Sequence, residues 1–322
     1  MPLTTWTTDE NASLIALEGN AGYPLLGKAL WIDLVSPTDD EKQLVSFAHH
    51  VELPTQNDME EIETSSRLYR EAHALFMITT LVAKADTDNP QMTSVAFIIS
   101  GGTLITLRHL ELQSFSSYIH YLERHRNDTH RSATLLAGLL EALVDRFSDI
   151  LEITSKRGES INKALFAADA NTQTAKDALI NIGAVHNVTA KVRESLVSFG
   201  RLITFASEEL PTAMSSDIAG RLAIFNRDIQ SLSDQASFIS NNLTFLLDAT
   251  LGLINIEQNA IIKIFSVATM IFLPPTLIGT IYGMNFDKMP ELHWDYGYPL
   301  AVVLMLISAY VPFQWFKRKG WL

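Results

Sequence analysis

Two uncharged apolar stretches near the C-terminus constrain this chain more than anything else in it. Residues 264–282, IFSVATMIFLPPTLIGTIY, and 297–316, GYPLAVVLMLISAYVPFQWF, run for 19 and 20 positions without a formal charge. A helix needs roughly 17–25 such residues to cross the ~30 Å of bilayer hydrocarbon. The connection between them, GMNFDKMPELHWDY, is short and polar, so the chain before and after the pair emerges on one side of the membrane. Lys263 precedes the first stretch, and Lys317, Arg318 and Lys319 follow the second. The connection carries Asp287, Glu291 and Asp295 against Lys288. Lysine and arginine favour the cytoplasmic flank of a span. The expected topology is therefore two spans in the cytoplasmic (inner) membrane, both termini cytoplasmic and the loop at 283–296 facing out.

The remaining 263 residues are enough for one or two domains with real cores. The segment from Ile264 onward holds four basic and three acidic residues, leaving 20 basic and 33 acidic before it. That excess of negative charge argues against nucleic acid or anionic lipid as a partner of the cytoplasmic part; a soluble acidic surface and a cation-attracting one both fit it. The chain has no cysteine, which excludes disulfides and thiolate metal sites. The opening MPLTTWTTDENASL has neither a basic n-region nor an apolar h-region, so no cleaved signal peptide is expected.

In chain order, residues 1–130 read as a mixed α/β domain. Residues 29–35 form a buried strand, and Ser36-Pro37-Thr38-Asp39 reads as an N-cap with proline at the first helical position. A short helix is predicted over 56–65, apolar strand-like sequence over 74–85, and two strands, 94–100 and 103–108, around the hairpin signal Gly101-Gly102. Residues 131–211 read as a long helical hairpin that breaks at 167–173 and ends at Pro211. From Ile218 through Leu222, Phe225, Ile229, Leu232, Ala236, Ile239, Leu243, Leu246 and Thr250 to Leu253, apolar positions alternate by four and three. That heptad seam predicts one stalk helix over 212–263 that continues into the membrane for about seventy residues, or ~100 Å. Its length suggests self-association. Residues 264–316 are then the transmembrane part and 317–322 a basic tail.

The first span is not uniformly apolar. Ser266, Thr269, Thr276 and Thr280, with Asn259, Asn255 and Asp248 below them, are spaced by sevens, fours and threes, which places them on one helical face. Polar groups facing lipid are costly, and such a stripe ordinarily faces a bundle interior or water. The second span offers only Ser308, Tyr310 and Gln314. One striped helix cannot enclose a pore, whereas a ring of copies can.

Several stretches together carry a family resemblance: Asn255-Ile-Glu-Gln-Asn259, Phe272-Leu-Pro-Pro-Thr-Leu-Ile278, Tyr282-Gly-Met-Asn-Phe286, Met289-Pro-Glu-Leu292, Gly297-Tyr-Pro299 and Phe316-Lys-Arg-Lys-Gly-Trp-Leu322. The chain resembles the CorA family of divalent-cation transporters, densely over its last ~75 residues and more weakly at 31–35 and 94–108. The resemblance implies a homopentameric funnel with a cytoplasmic α/β/α domain, in which five stalk helices line a central pore and five second spans surround it. It implies Mg2+ as the transported ion, with Co2+ and Ni2+ as alternatives. It assigns ion selection to Tyr282, Gly283, Met284 and Asn285. Pore-lining rings would be Asn255, Asn259, Ile262, Thr269, Leu273, Thr276 and Thr280. A regulatory Mg2+ between protomers would be held by Asp248 together with Glu60 or Glu61, and Lys263, Lys317, Arg318 and Lys319 would form a basic collar.

The outer mouth makes chemical sense by itself. Mg2+ surrenders its waters reluctantly. Asparagine oxygens and backbone carbonyls accept hydrogen bonds from those waters without adding a charge that would trap the ion. Inward movement of a dication gains about 4.6 kcal/mol per 100 mV, which supports roughly a thousandfold passive accumulation. No phosphate-binding loop of the Gly-x-x-x-x-Gly-Lys type and no His-Glu-x-x-His occurs. His49-His50 lie in a polar helix, and His120, His125 and His130 step by five, off any shared face. No enzymatic activity and no organic cofactor are expected. Two other readings stay open: a Zn2+ transporter of the same superfamily, and a membrane-anchored sensor or scaffold that conducts nothing.

Overall fold

Strand sequences with β-branched and aromatic residues at alternate positions need two covering layers when both faces are apolar. That is the case over most of the N-terminal sheet. The computed structural model of the chain describes residues 3–9, 13–61, 63–87, 89–125, 131–168, 171–210, 216–285, 289 and 294–321. Its strands are β1 (Leu3–Thr8), β2 (Leu14–Glu18), β3 (Trp31–Val35), β4 (Leu68–Glu71), β5 (Ala74–Ala83), β6 (Gln91–Ser100) and β7 (Thr103–Arg108). They form one sheet in the order β2-β1-β3-β7-β6-β5-β4, antiparallel except for the β3–β7 pair. The helices are α1 (Asp39–His49), α2 (Gln56–Glu60), α3 (Thr64–Arg67), α4 (Gln113–Arg124), α5 (Ser132–Leu165), α6 (Thr172–Glu209), α7 (Ser216–Tyr282) and α8 (Gly297–Arg318).

The chain divides into two compact units, one of residues 1–168 with 177–247 and one of 169–176 with 248–322. In the first, Ile32, Leu34, Phe76, Ile78, Ile98 and Leu107 pack against Val45 of α1 and Met59 of α2. On the opposite face Phe97 meets Phe115 of α4 at 6.2 Å, and Thr79 donates to Ser198 of α6 at 3.0 Å. Helices thus cover both faces. Gly101 and Gly102 have φ of +58° and +89°, the two left-handed positions a type I′ hairpin turn demands.

Three local readings change. The N-cap of α1 is Thr38, not Ser36: its hydroxyl accepts from Glu41 N–H while the Glu41 side chain accepts from Thr38 N–H, a closed capping box. The predicted helix over 56–65 is two short pieces, α2 and α3, the first with its own Thr55–Asp58 box. The heptad seam from Ile218 to Leu246 is buried within its own chain, with Gly200 of α6 against Ile229 and Gly158 of α5 near Leu243. A seam already covered in this way gives no argument for self-association.

Between the layers lies one buried ion pair. Arg108 Nη2 donates to Asp33 Oδ2 at 2.8 Å, with both side chains almost fully buried. Trp31 Nε1 donates to Thr106 Oγ1 at 2.9 Å, and that hydroxyl donates to Asp33 Oδ1 at 2.7 Å. Asp33→Ala would leave the guanidinium buried without its counter-charge, so we expect a loss of about 3–5 kcal/mol in denaturant unfolding. His49 is also buried, with Nε2 donating to Leu26 O at 3.0 Å. Burial is the largest influence on it and lowers its pKa. Its unfolded form therefore takes up a proton first on acidification. The stability it contributes is present above the ordinary histidine range and is lost as pH falls from there toward the depressed value. We expect thermal stability to fall between about pH 7.5 and pH 5.5, less so in His49→Gln.

Candidate functional site

A helix in hydrocarbon satisfies its backbone internally, so its side chains decide what each face can meet. Helices α7 and α8 are both long and apolar enough to cross a membrane. At 100° per residue, Asp248, Asn255, Asn259, Ile262, Ser266, Thr269, Leu273, Thr276 and Thr280 fall within an arc of about 100°. All nine are exposed. Another arc, centred about 140° away, holds Lys263, Val267, Ile271, Pro274, Ile278 and Tyr282, of which Val267 is buried and the others half-buried. It faces the α8 side of the pair: Lys263 on this arc donates to Gly320 O just past α8, and beyond the arc, on the side away from Lys263, a β-carbon on Gly279 would lie 3.4 Å from Met305 Cε. The polar stripe is thus turned away from α8.

The threonine hydroxyls all face the same way electrically. Thr269 donates to Phe265 O at 2.8 Å, Thr276 to Phe272 O at 2.7 Å and Thr280 to Thr276 O at 2.7 Å. Each proton is committed to the preceding turn, so what remains outward is oxygen lone pairs. A face of acceptors suits the waters around a cation. Pro274 and Pro275 lie inside α7 and carry no N–H, which removes the usual helical donor to Met270 O and Ile271 O.

The helix closes at its C-terminal end through Gly283 N–H to Gly279 O at 3.0 Å and Met284 N–H to Ile281 O at 3.2 Å. Gly283 is not in a left-handed conformation. Space explains it better: a β-carbon there would sit 3.2 Å from Gly279 O. Met284 and Asn285 follow, both exposed. Asp287 and Glu291 of the acidic loop lie outside the described residues. At the other end of the spans Lys263 Nζ donates to Gly320 O at 3.3 Å and lies 5.5 Å from the Trp321 ring, while Lys319 lies over Trp315. Lys317 and Arg318 are exposed.

Glu60 is the last residue of α2, accepting from Gln56 Nε2 at 3.1 Å, and Glu61 is its C-cap. Both are exposed and belong to the first unit, whereas Asp248 belongs to the second. Among the described residues no three His, Asp or Glu side chains converge as a metal cluster. Sequence reasoning passed over Gly279 and Trp321, and also Glu257, which accepts a hydrogen bond from Thr172. A small residue in an apolar span was the available signal for Gly279. Nothing in the linear pattern paired Glu257 with Thr172.

A family described as CorA-like Mg2+ transporter protein matches residues 27–318. The magnesium transport protein CorA of Haemophilus ducreyi is 33% identical over 313 residues, covering 97% of this chain and 98% of that protein. Its counterpart in Escherichia coli strain K12 is 34% identical over 315 residues, with the same coverage of 97% and 98%. The complete CorA magnesium transporter from Methanocaldococcus jannaschii superposes with a TM-score of 0.77 over 100% of this chain and 99% of that one. Its identity is 20%, so that likeness is one of fold.

Gly279→Leu should push Met305 out of its place against α7. We expect a loss of about 1–3 kcal/mol in the thermal or denaturant stability of the detergent-solubilised protein, with Gly279→Ala nearly neutral.

Proposed function

This chain belongs to the CorA family, and on that premise we propose that it is a passive Mg2+ channel driven by the membrane potential. One observation carries the reading: an exposed polar stripe on α7, whose three threonine hydroxyls donate back along the helix and leave acceptor lone pairs outward, runs up to Tyr282-Gly283-Met284-Asn285. Such a stripe is stable in a membrane only if it faces water or other protein. Several copies arranged about an axis, five in the family's pattern, would turn it toward a shared aqueous path. Ile262 and Leu273 lie on the same face and would supply apolar rings where the path can dewet.

Asn285 stands at the mouth as an uncharged acceptor for a hydrated dication, with Tyr282, Gly283 and Met284 shaping the turn that presents it. Co2+ and Ni2+ share the size and hydration that such a site reads and would pass as alternatives. Lys263, Lys317, Arg318 and Lys319 would ring the inner surface.

Regulation by cytoplasmic Mg2+ is part of the same proposal. Oxygen donors suit this hard ion, and exposed Glu60, Glu61 and Asp248 supply them. Among the described residues one chain gathers too few of them at any place, which favours ligands shared between copies. Carboxylates that repel when empty and are bridged when the ion binds bias two arrangements of the same assembly.

Three measurements test this. Asn285→Ala should abolish Mg2+ flux into proteoliposomes while leaving the assembly's mass unchanged; undiminished flux would remove the selectivity role. Asp248→Ala or Glu61→Ala should raise flux at millimolar internal Mg2+, and normal closure in both would rule out the shared site. Excess Mg2+ should suppress uptake of other divalent ions. Zn2+ uptake untouched by Mg2+ would favour the zinc-transporting alternative.

A further inference from the structure

The first unit contains a cavity of about 560 Å3 whose charge runs against that of the chain around it. It lies among the end of α3, strands β4 and β5, helix α6 and Ser240 of α7. Helix α6 presents His186, Arg193 and Arg201 into it at spacings that keep them on one face, and Arg67 closes it from the α3 side. A single acid, Glu194, accompanies three arginines and a histidine, although acids outnumber bases 33 to 20 before the spans.

The cavity is built as well as charged. Arg67 Nη1 donates to Thr80 Oγ1 at 2.8 Å, and its Nε donates to the carbonyl of Glu61. Thr80 N–H donates to Ser198 Oγ at 3.1 Å, fixing that hydroxyl at the wall. Arg67 is thereby held half-buried with its guanidinium plane set. Partial burial lowers its pKa, Glu194 opposes that and Arg201 adds to it. The site carries more positive charge than its own acid offsets. Arg193 makes no hydrogen bond or ion pair among the described residues.

We propose that this cavity binds a small phosphate-bearing anion from the cytoplasm. Guanidinium groups match phosphate oxygens in pairs of parallel hydrogen bonds, and hydroxyls complete such sites. The volume falls in the range of small-ligand pockets. Two or more phosphoryl groups fit the site better than one, because Arg67 approaches from the sheet side and Arg193 and Arg201 from positions about two turns apart on α6. The inference is separate from ion conduction, and its readout is binding, so either can fail without the other.

The test is calorimetric titration of the full-length protein in detergent with inorganic pyrophosphate. It is run at near-physiological salt without divalent ions, which would otherwise be chelated. We expect saturable binding, stronger than for orthophosphate or sulfate, and weakened at least ~10-fold in Arg193→Gln/Arg201→Gln. Arg157→Gln/Lys163→Gln, which removes two exposed charges from α5, should bind like the parent. Absence of saturable heat, or equal weakening in both double variants, overturns the proposal. So does a change in oligomeric mass in Arg193→Gln/Arg201→Gln, which would mean that the basic face pairs with an acidic face of a second copy.

Discussion

Hydroxyl and amide groups on a helix in hydrocarbon must find a partner or water, and the proposed ion path follows from where α7 puts them. The three threonines answer half of the requirement locally by donating to carbonyls one turn back. The other half, the lone pairs, is left on a face that α8 does not cover. A lipid-facing position would leave these acceptors and the asparagines below them unsatisfied, each at a cost of several kcal/mol. The proposed water-filled axis would remove that penalty and give the groups a task. The same argument explains why α8 needs so little polarity: Gln314 satisfies Tyr310 on its own helix, and Ser308 bonds to Met305 O.

Charge is distributed with comparable economy. The chain is acidic by 12 overall, yet its cations gather where an excess of positive charge has a use. One group flanks the spans, where Lys263 and Lys319 rest over tryptophan rings and keep their ammonium groups at the membrane edge. Another lines the cavity beside α6. A third case is a single buried arginine, Arg108, neutralised by Asp33 and stacked over Phe115 at 4.4 Å. The first two groups carry no buried counter-charge of this kind; the last is closed and holds strands β3 and β7 to α4.

Much of this was legible in the linear sequence, for identifiable reasons. Uncharged runs announce the spans, and spacing by sevens, fours and threes by itself puts the stripe on one face. Gly101-Gly102 set its hairpin because only a left-handed pair closes that turn. Strands β1, β2 and β4 were not legible. Leu3–Thr8 is two-thirds threonine and reads as polar, but Trp6 pairs with Trp31 across the sheet and their rings stack at 5.6 Å. Tertiary pairing made that strand, and local pattern could not show it. The Thr38 cap was missed because Ser36-Pro37 imitates a helix start two residues early. The basic cavity was invisible because Arg67 is far in sequence from the α6 residues it joins. Asp248 and the Glu60-Glu61 pair were named together only through family resemblance; no spacing in the chain links them.

The covered seam of α7 has a consequence for how faults in this protein would show themselves. Leu222, Phe225, Ile229, Leu243 and Leu246 hold the stalk to helices of the same subunit. Damage at these positions would therefore strike the monomer first: the individual chain loosens before any neighbour is released. The assembly proposed above would draw on side chains outside that regular apolar register, on surfaces that a coiled-coil pattern does not mark. The integrity of the single chain is thus written in the apolar register of α7, and the proposed association of copies would have to be written elsewhere, so that each could vary without erasing the other.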